Sequence, residues 1–216
     1  MDGTNNTKYS LGLSSFPLMR SEIITTAHVF KQCVDWKETK QRILKDNLLQ
    51  RKRESTSKVA CNETLKRLRR AEDWELDFLE ESDDIADTSF ICLQLIARHY
   101  LLLRDIILDL ICYKAEGMDY SLEEYEIIGW YNKLADSHSE IEYMKPGSFR
   151  RLVINTRLIL EDGGLMKKTT EDTYRIKVPQ ISESLKSLYL TNGSITDLKL
   201  ILLTDSEIRK VLGDRE

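Results

Sequence analysis

Few residues in this chain have the type and spacing that covalent chemistry needs. Its three histidines, His28, His99 and His138, lie far apart in a sequence of 216 residues. There is no G-x-x-x-x-G-K-[ST] loop, no G-x-G-x-x-G, no H-E-x-x-H and no G-x-S-x-G. His99 projects away from the polar stripe of its helix, which suits a hydrogen-bonded core histidine better than a ligand or base. Cys33, Cys61, Cys92 and Cys112 show no CxxC and have no histidine at zinc spacing, so buried, reduced thiols are expected. The acids between residues 72 and 87 could hold a hard cation, but they lack the D-x-[DN]-x-[DN]-G framework. They read as a solvated face or as partners for the basic helices before them. The expectation is a protein that is not an enzyme and that uses no metal or cofactor.

The basic residues are what remains, and their chemistry is phosphate contact with release of counterions. Net charge is −4, but the mean conceals a segregation. Lys37 to Arg70 holds twelve Lys and Arg against four acids, and Ala71 to Asp87 holds nine acids and no base. Arg51, Lys52, Arg53, Lys58, Lys66, Arg69 and Arg70 form one candidate surface. Arg150, Arg151 and Arg157 form a second, and Lys167, Lys168, Arg175 and Lys177 follow it. The bland alternative is that solvated Lys and Arg simply favour helix.

The elements that must carry these residues are mostly helical. Nine Gly and three Pro argue against turn-rich β structure. Residues 1 to about 19 lack periodicity and read as an extended arm, with Tyr9, Leu11, Leu13 and Phe16 available to anchor it. Nothing in the polar start MDGTNNTKYS suggests secretion, so the Asn-x-Ser/Thr triplets at Asn5, Asn62 and Asn192 carry no meaning and a cytoplasmic location is expected. Ile23, Ala27, Phe30 and Val34 recur at helical spacing. Asp35 is placed to cap a helix whose Trp36, Ile43, Leu44 and Leu48 face inward. Ser55, Thr56 and Ser57 mark a turn and the capped start of a third helix, with Cys61, Leu65 and Leu68 on its core side.

Thr88 to Ala115 is the most apolar run, about seven and a half turns or roughly 42 Å if it forms one helix. Asp87, Gln94, Arg98, Asp105 and Asp109 fall on one narrow stripe, which predicts a helix with a single wet edge. Arg98, His99 and Arg104 interrupt the run, so a buried core helix is expected rather than a membrane span. Asp83 and Asp84 open this helix and Gly117 closes it.

After Gly117, Ser121 to Glu124 has the form of a capping box, and Tyr125, Ile128 and Tyr131 begin a new helical face. Ser137 to Met144 is a short second helix. Phe149, Leu152, Val153, Ile159 and Leu160 form a third stripe, with Arg150 and Arg157 sharing another face until Gly163 and Gly164 stop the helix. Strand-like runs follow at Leu165 to Thr169 and Thr173 to Val178. Three helices and then a hairpin is the order of a winged helix-turn-helix, in which the helix before the hairpin enters the major groove. The ordinary alternative is a helix-hairpin packing unit. The tail from Gln180 carries two helical stretches that serve as a cap or as a dimer contact. The resulting division is a helical bundle over 1–116 and a winged-helix-like domain with a helical tail over 117–216.

The segments KYSLGL at 8–13, SFPLMRSE at 15–22, DNLLQRKRESTSK at 46–58 and GGL at 163–165 resemble the BrxA family of bacterial BREX phage-defence systems. That resemblance implies a mainly α protein whose N-terminal half is a helical bundle similar to the antitermination factor NusB. It also implies a non-catalytic accessory component that binds double-stranded DNA alongside other BREX components. Two rival roles stay open: a protein–protein adaptor within the defence complex, and an RNA-binding protein, which rests on fold analogy alone. A homo-oligomer is compatible with each.

Overall fold

The structure, a computed structural model, describes residues 8–214. It is mainly helical with one small antiparallel sheet, and it forms two compact units, residues 18–99 and residues 8–17 together with 100–214. The units part at Tyr100, whereas the expected domain limit stands after Glu116.

Residues 18–99 form a five-helix unit: α1 (Arg20–Cys33), α2 (Trp36–Lys45), α3 (Glu54–Leu68), α4 (Asp73–Glu81) and α5 (Ile85–His99). Asp35 caps α2 as expected, accepting the Glu38 N–H at 2.7 Å. Asp84 does the same for α5, accepting the Asp87 N–H at 2.9 Å. The expected Ser/Thr cap of α3 is absent. That helix begins at Glu54 after Arg53, with no side-chain cap, and Ser57 is buried inside it. The helix that touches all four others is α1, through Ile23, Thr26, Ala27 and Val29.

The 88–115 run is not one helix. It stops at His99, Tyr100 takes an extended conformation (φ −108°, ψ 96°), and α6 (Leu101–Ile106) starts anew. A π-helical stretch, Ile107–Cys112, and the short α7 (Tyr113–Glu116) complete it. The stripe expected to be wet is buried at Asp87 and Gln94, half-buried at Arg98 and Asp105, and exposed as expected at Asp109. Arg98 pairs with the buried Glu75 at 2.5 and 3.0 Å, and Asp105 accepts the Tyr9 hydroxyl at 2.7 Å. Polar residues on an apolar helix mark solvent or buried partners equally well, and only packing tells them apart. No helix among the described residues is long and apolar enough to cross a membrane.

In the second unit the arm is anchored as expected from Lys8 onward. Its first seven residues, Asn5 included, lie outside the described residues. A 3-10 turn, Leu11–Ser14, buries Leu13, whose carbonyl accepts the Asn155 amide at 2.9 Å. Next come β1 (Ser121–Glu123), α8 (Glu124–Ala135), α9 (Ser139–Glu142), α10 (Pro146–Asp162), β2 (Met166–Lys168) and β3 (Thr173–Ile176). The tail forms α11 (Glu183–Asn192), α12 (Ile195–Leu200) and α13 (Asp205–Gly213). The expected Ser121 capping box is instead a strand. β1 pairs with β3, giving sheet order β1-β3-β2, and the reciprocal cap of α8 is made by Glu123 and Glu126. Three residues are too short for alternation to announce a strand, and β1 exists because β3 offers it an edge.

Candidate nucleic-acid interface

The core of α10 is set by Leu152, Val153, Thr156, Ile159 and Leu160, all buried. Tyr131 of α8 is fully buried against it, bonded to the Thr156 hydroxyl at 2.6 Å and edge-on to Phe149 at 6.0 Å. Burial and the turn of the helix then decide where the three arginines go. Arg150 and Arg151 are exposed on the first turns. Arg157 is half-buried. Its guanidinium pairs with Glu124 at the start of α8, donates to the Tyr174 hydroxyl at 2.8 Å and lies 5.7 Å from the centre of that ring. The three are therefore not equivalent, because Arg157 is held inside the module by a strand and a helix that α10 must pack against.

The hairpin divides its bases in the same way. Lys167 and Arg175 are directly paired across β2 and β3, and both are exposed on the outer face of the sheet. Lys177 is exposed two residues beyond Arg175. Lys168 pairs with Tyr174 on the opposite face, where it lines a cleft rather than the outer surface. That cleft, about 410 Å³, lies between α8, α10 and the hairpin. Ile128, Phe149, Val153 and Ile154 line it together with Arg150, Arg157 and Lys168 and with Glu124, Glu171 and Asp172.

Two like charges opposite one another in a ladder are unfavourable. Among the described residues, Arg150, Lys167, Arg175 and Lys177 have no ion-pair partner, and Arg151 only bonds the Gly147 carbonyl at 3.3 Å. Lys145, exposed just before α10, joins them. It was missed in the sequence, although its place before the Pro146–Gly147 helix start was the available signal.

The basic residues of the other unit do not gather into one surface. Arg51 is half-buried and paired with Glu22, while Lys52 and Arg53 stay exposed beside it. Lys58 pairs with Glu54 at 2.5 Å. Lys66, Arg69 and Arg70 lie at the far end of α3, roughly 20 Å from Arg53 at the helical rise, with Arg69 set 5.8 Å from the Trp36 ring. Cations at a helix C-terminus are also what the macrodipole favours. Arg67, not singled out in the sequence, is fully buried, with its Nε 2.9 Å from Glu63 and another donor 3.0 Å from the Leu18 carbonyl.

Burial pushes the Cys92 and Cys112 thiols up to about 12. Desolvation lowers the pKa of His99, against the attraction of Glu63. Among the described residues no three His, Cys, Asp or Glu are placed to hold a metal.

A family model described as BrxA matches residues 7–193. The chain belongs to the BrxA family. BrxA membership carries with it a part in a BREX phage-defence system and spans both units of the fold. Among solved structures, the chain shares its fold with a protein described as an uncharacterized protein from Magnetospirillum magneticum. The TM-score is 0.73 at 16% identity, covering 90% of this chain and 98% of that one. No curated protein matches the chain.

Proposed function

We propose that this member of the BrxA family is a cytoplasmic, non-catalytic component of its BREX system that binds double-stranded DNA, through the module built on β1, α8–α10 and the β2–β3 hairpin. The observation that carries this reading is the set of exposed cations Arg150, Arg151, Lys167, Arg175 and Lys177, none of which has an ion-pair partner among the described residues. Within the same unit Arg157, Lys114 and Lys199 are paired with acids, while Lys133, Lys186, Arg209 and Lys210, also without an ion pair among the described residues, are scattered over α8, α11 and α13. Cations left uncompensated on one module, two of them opposed in a ladder, are stabilised by an anion from outside. The order helix, strand, three helices and hairpin, with β1 added to the edge of β3, supports the winged helix-turn-helix reading. In that arrangement the helix before the hairpin lies in the major groove.

Fluorescence anisotropy on a generic duplex tests the proposal. Binding should weaken steeply with salt, and Arg150→Glu with Arg151→Glu should abolish most of it while a charge-reversed pair on α13 does not. Salt-independent binding, or an unchanged double variant, would sink it. The adaptor role has one observation in its favour: the hairpin tip is acidic, with Glu171 and Asp172 exposed. A stoichiometric protein partner retained at high salt, with no duplex binding, is the outcome that would select it.

A further inference from the structure

The cleft beside α10 has a chemistry that phosphate contact alone does not explain. Its lining combines an apolar group, Ile128, Phe149, Val153 and Ile154, with charges of both signs. Duplex backbone carries only negative charge, so Glu124, Glu171 and Asp172 work against it. The apolar part is held in place by packing. Phe149 is held edge-on by Tyr131, and Tyr131 is fixed by its bond to Thr156. Arg157 is fixed by Glu124 and Tyr174, and its Nε is a buried donor with no acceptor among the described residues. A volume of about 410 Å³ lies within the range of small-molecule sites.

We infer that this cleft takes one nucleotide unit, with its base against Phe149 and Ile154, its phosphate toward Arg150 and Lys168, and its amino edge toward Glu171 and Asp172. Each part of the lining answers to one part of that ligand. A planar base offers a face that stacks on an aromatic ring. Carboxylates only accept hydrogen bonds, so they favour the two donors of an exocyclic amino group over thymine, whose single ring N–H lies between two carbonyl oxygens that repel them. The unit comes either from a free nucleotide or from a nucleotide extruded from a duplex, and only the second source rests on the DNA-binding reading above. Extrusion is least costly where the base is already mispaired.

Two arms separate the sources. In the first, saturation-transfer NMR with dAMP, dCMP and dTMP on the full chain should show dAMP and dCMP bound roughly tenfold or more tightly than dTMP, the discrimination of one good base-edge contact. In the second, anisotropy on a matched duplex and on the same duplex with a central 2-aminopurine·C mismatch should show the mismatch bound roughly tenfold tighter, with a change in 2-aminopurine emission. Signal in the first arm alone assigns a free nucleotide, and signal in the second assigns an extruded one. In either case Glu171→Gln with Asp172→Asn should remove the discrimination while leaving the thermal midpoint in place, since both side chains are exposed. Matched-duplex binding without either signal would overturn the cleft assignment and leave the DNA-binding reading standing. The absence of all three would overturn both. Selectivity that survives the double variant would also refute the assignment of the amino edge.

Discussion

Replacing Arg157 by Gln separates an arginine that holds the fold from the arginines proposed to contact DNA. Its side chain is 19% exposed and that of Glu124 is 26% exposed, so the variant leaves a partly desolvated carboxylate unpaired and removes a donor to the Tyr174 hydroxyl. Hydrogen bonds to charged groups contribute about 1.5–3 kcal/mol each, less where solvent screens them. A loss of about 1–3 kcal/mol in folding stability is therefore expected, measured as a lower urea midpoint with an unchanged slope. A double-mutant cycle with Glu124→Gln should recover about 1 kcal/mol or more as coupling. Duplex binding should respond in the opposite sense. Each phosphate contact contributes about 0.9 to the slope of log affinity against log salt. Arg150→Gln with Arg151→Gln should lower that slope by about 1.8, and Arg157→Gln should leave it nearly unchanged. An Arg157 variant of full stability whose salt slope falls by about 0.9 would refute the reasoning.

Other consequences follow from burial and packing. Arg67→Met leaves Glu63 charged in the interior and should cost about 3–5 kcal/mol, with Glu63→Leu on top restoring much of it. Urea unfolding of the single and double variants checks this. A Cβ on Gly12 would sit 2.5 Å from the Tyr100 hydroxyl and 2.8 Å from its ring. Gly12→Ala should thus lower the thermal midpoint, at a cost of about 1–3 kcal/mol for overpacking, and Gly12→Ala with Tyr100→Leu should recover part of it. Burial raises the Cys92 and Cys112 thiols to about 12, so roughly one molecule in ten thousand carries either thiolate at pH 8. Aromatic disulfide reagents should label Cys33, which is partly exposed, and should reach the buried Cys61, Cys92 and Cys112 only on unfolding.

What was legible in advance follows from local rules. Helix content, the Asp35 cap, the Gly117 stop, the hairpin and the short helix near residue 140 rest on residues that interact within a few positions of one another, where propensity and capping decide. The family likeness carried in KYSLGL and DNLLQRKRESTSK was legible too, since it needs no geometry. Illegible was whatever depends on a distant partner. β1 forms only because β3 lies beside it, and the break at Tyr100 interrupts a run whose periodicity continues without a mark.

The candidate surface shows the same limit residue by residue. Arg150 and Arg157, seven apart on one helix, look interchangeable in sequence and both border one cleft. Yet one is free to meet a phosphate and the other is tied to Glu124, 33 positions away. Lys167 and Lys168 are neighbours that point to opposite faces, because successive side chains in a strand alternate. That this is a mainly helical protein rich in segregated charge follows from composition and short-range periodicity, which are properties of the chain alone. Which of those charges are spent on internal pairs and which stay unpaired follows from contacts between residues far apart in the chain, which no local pattern records.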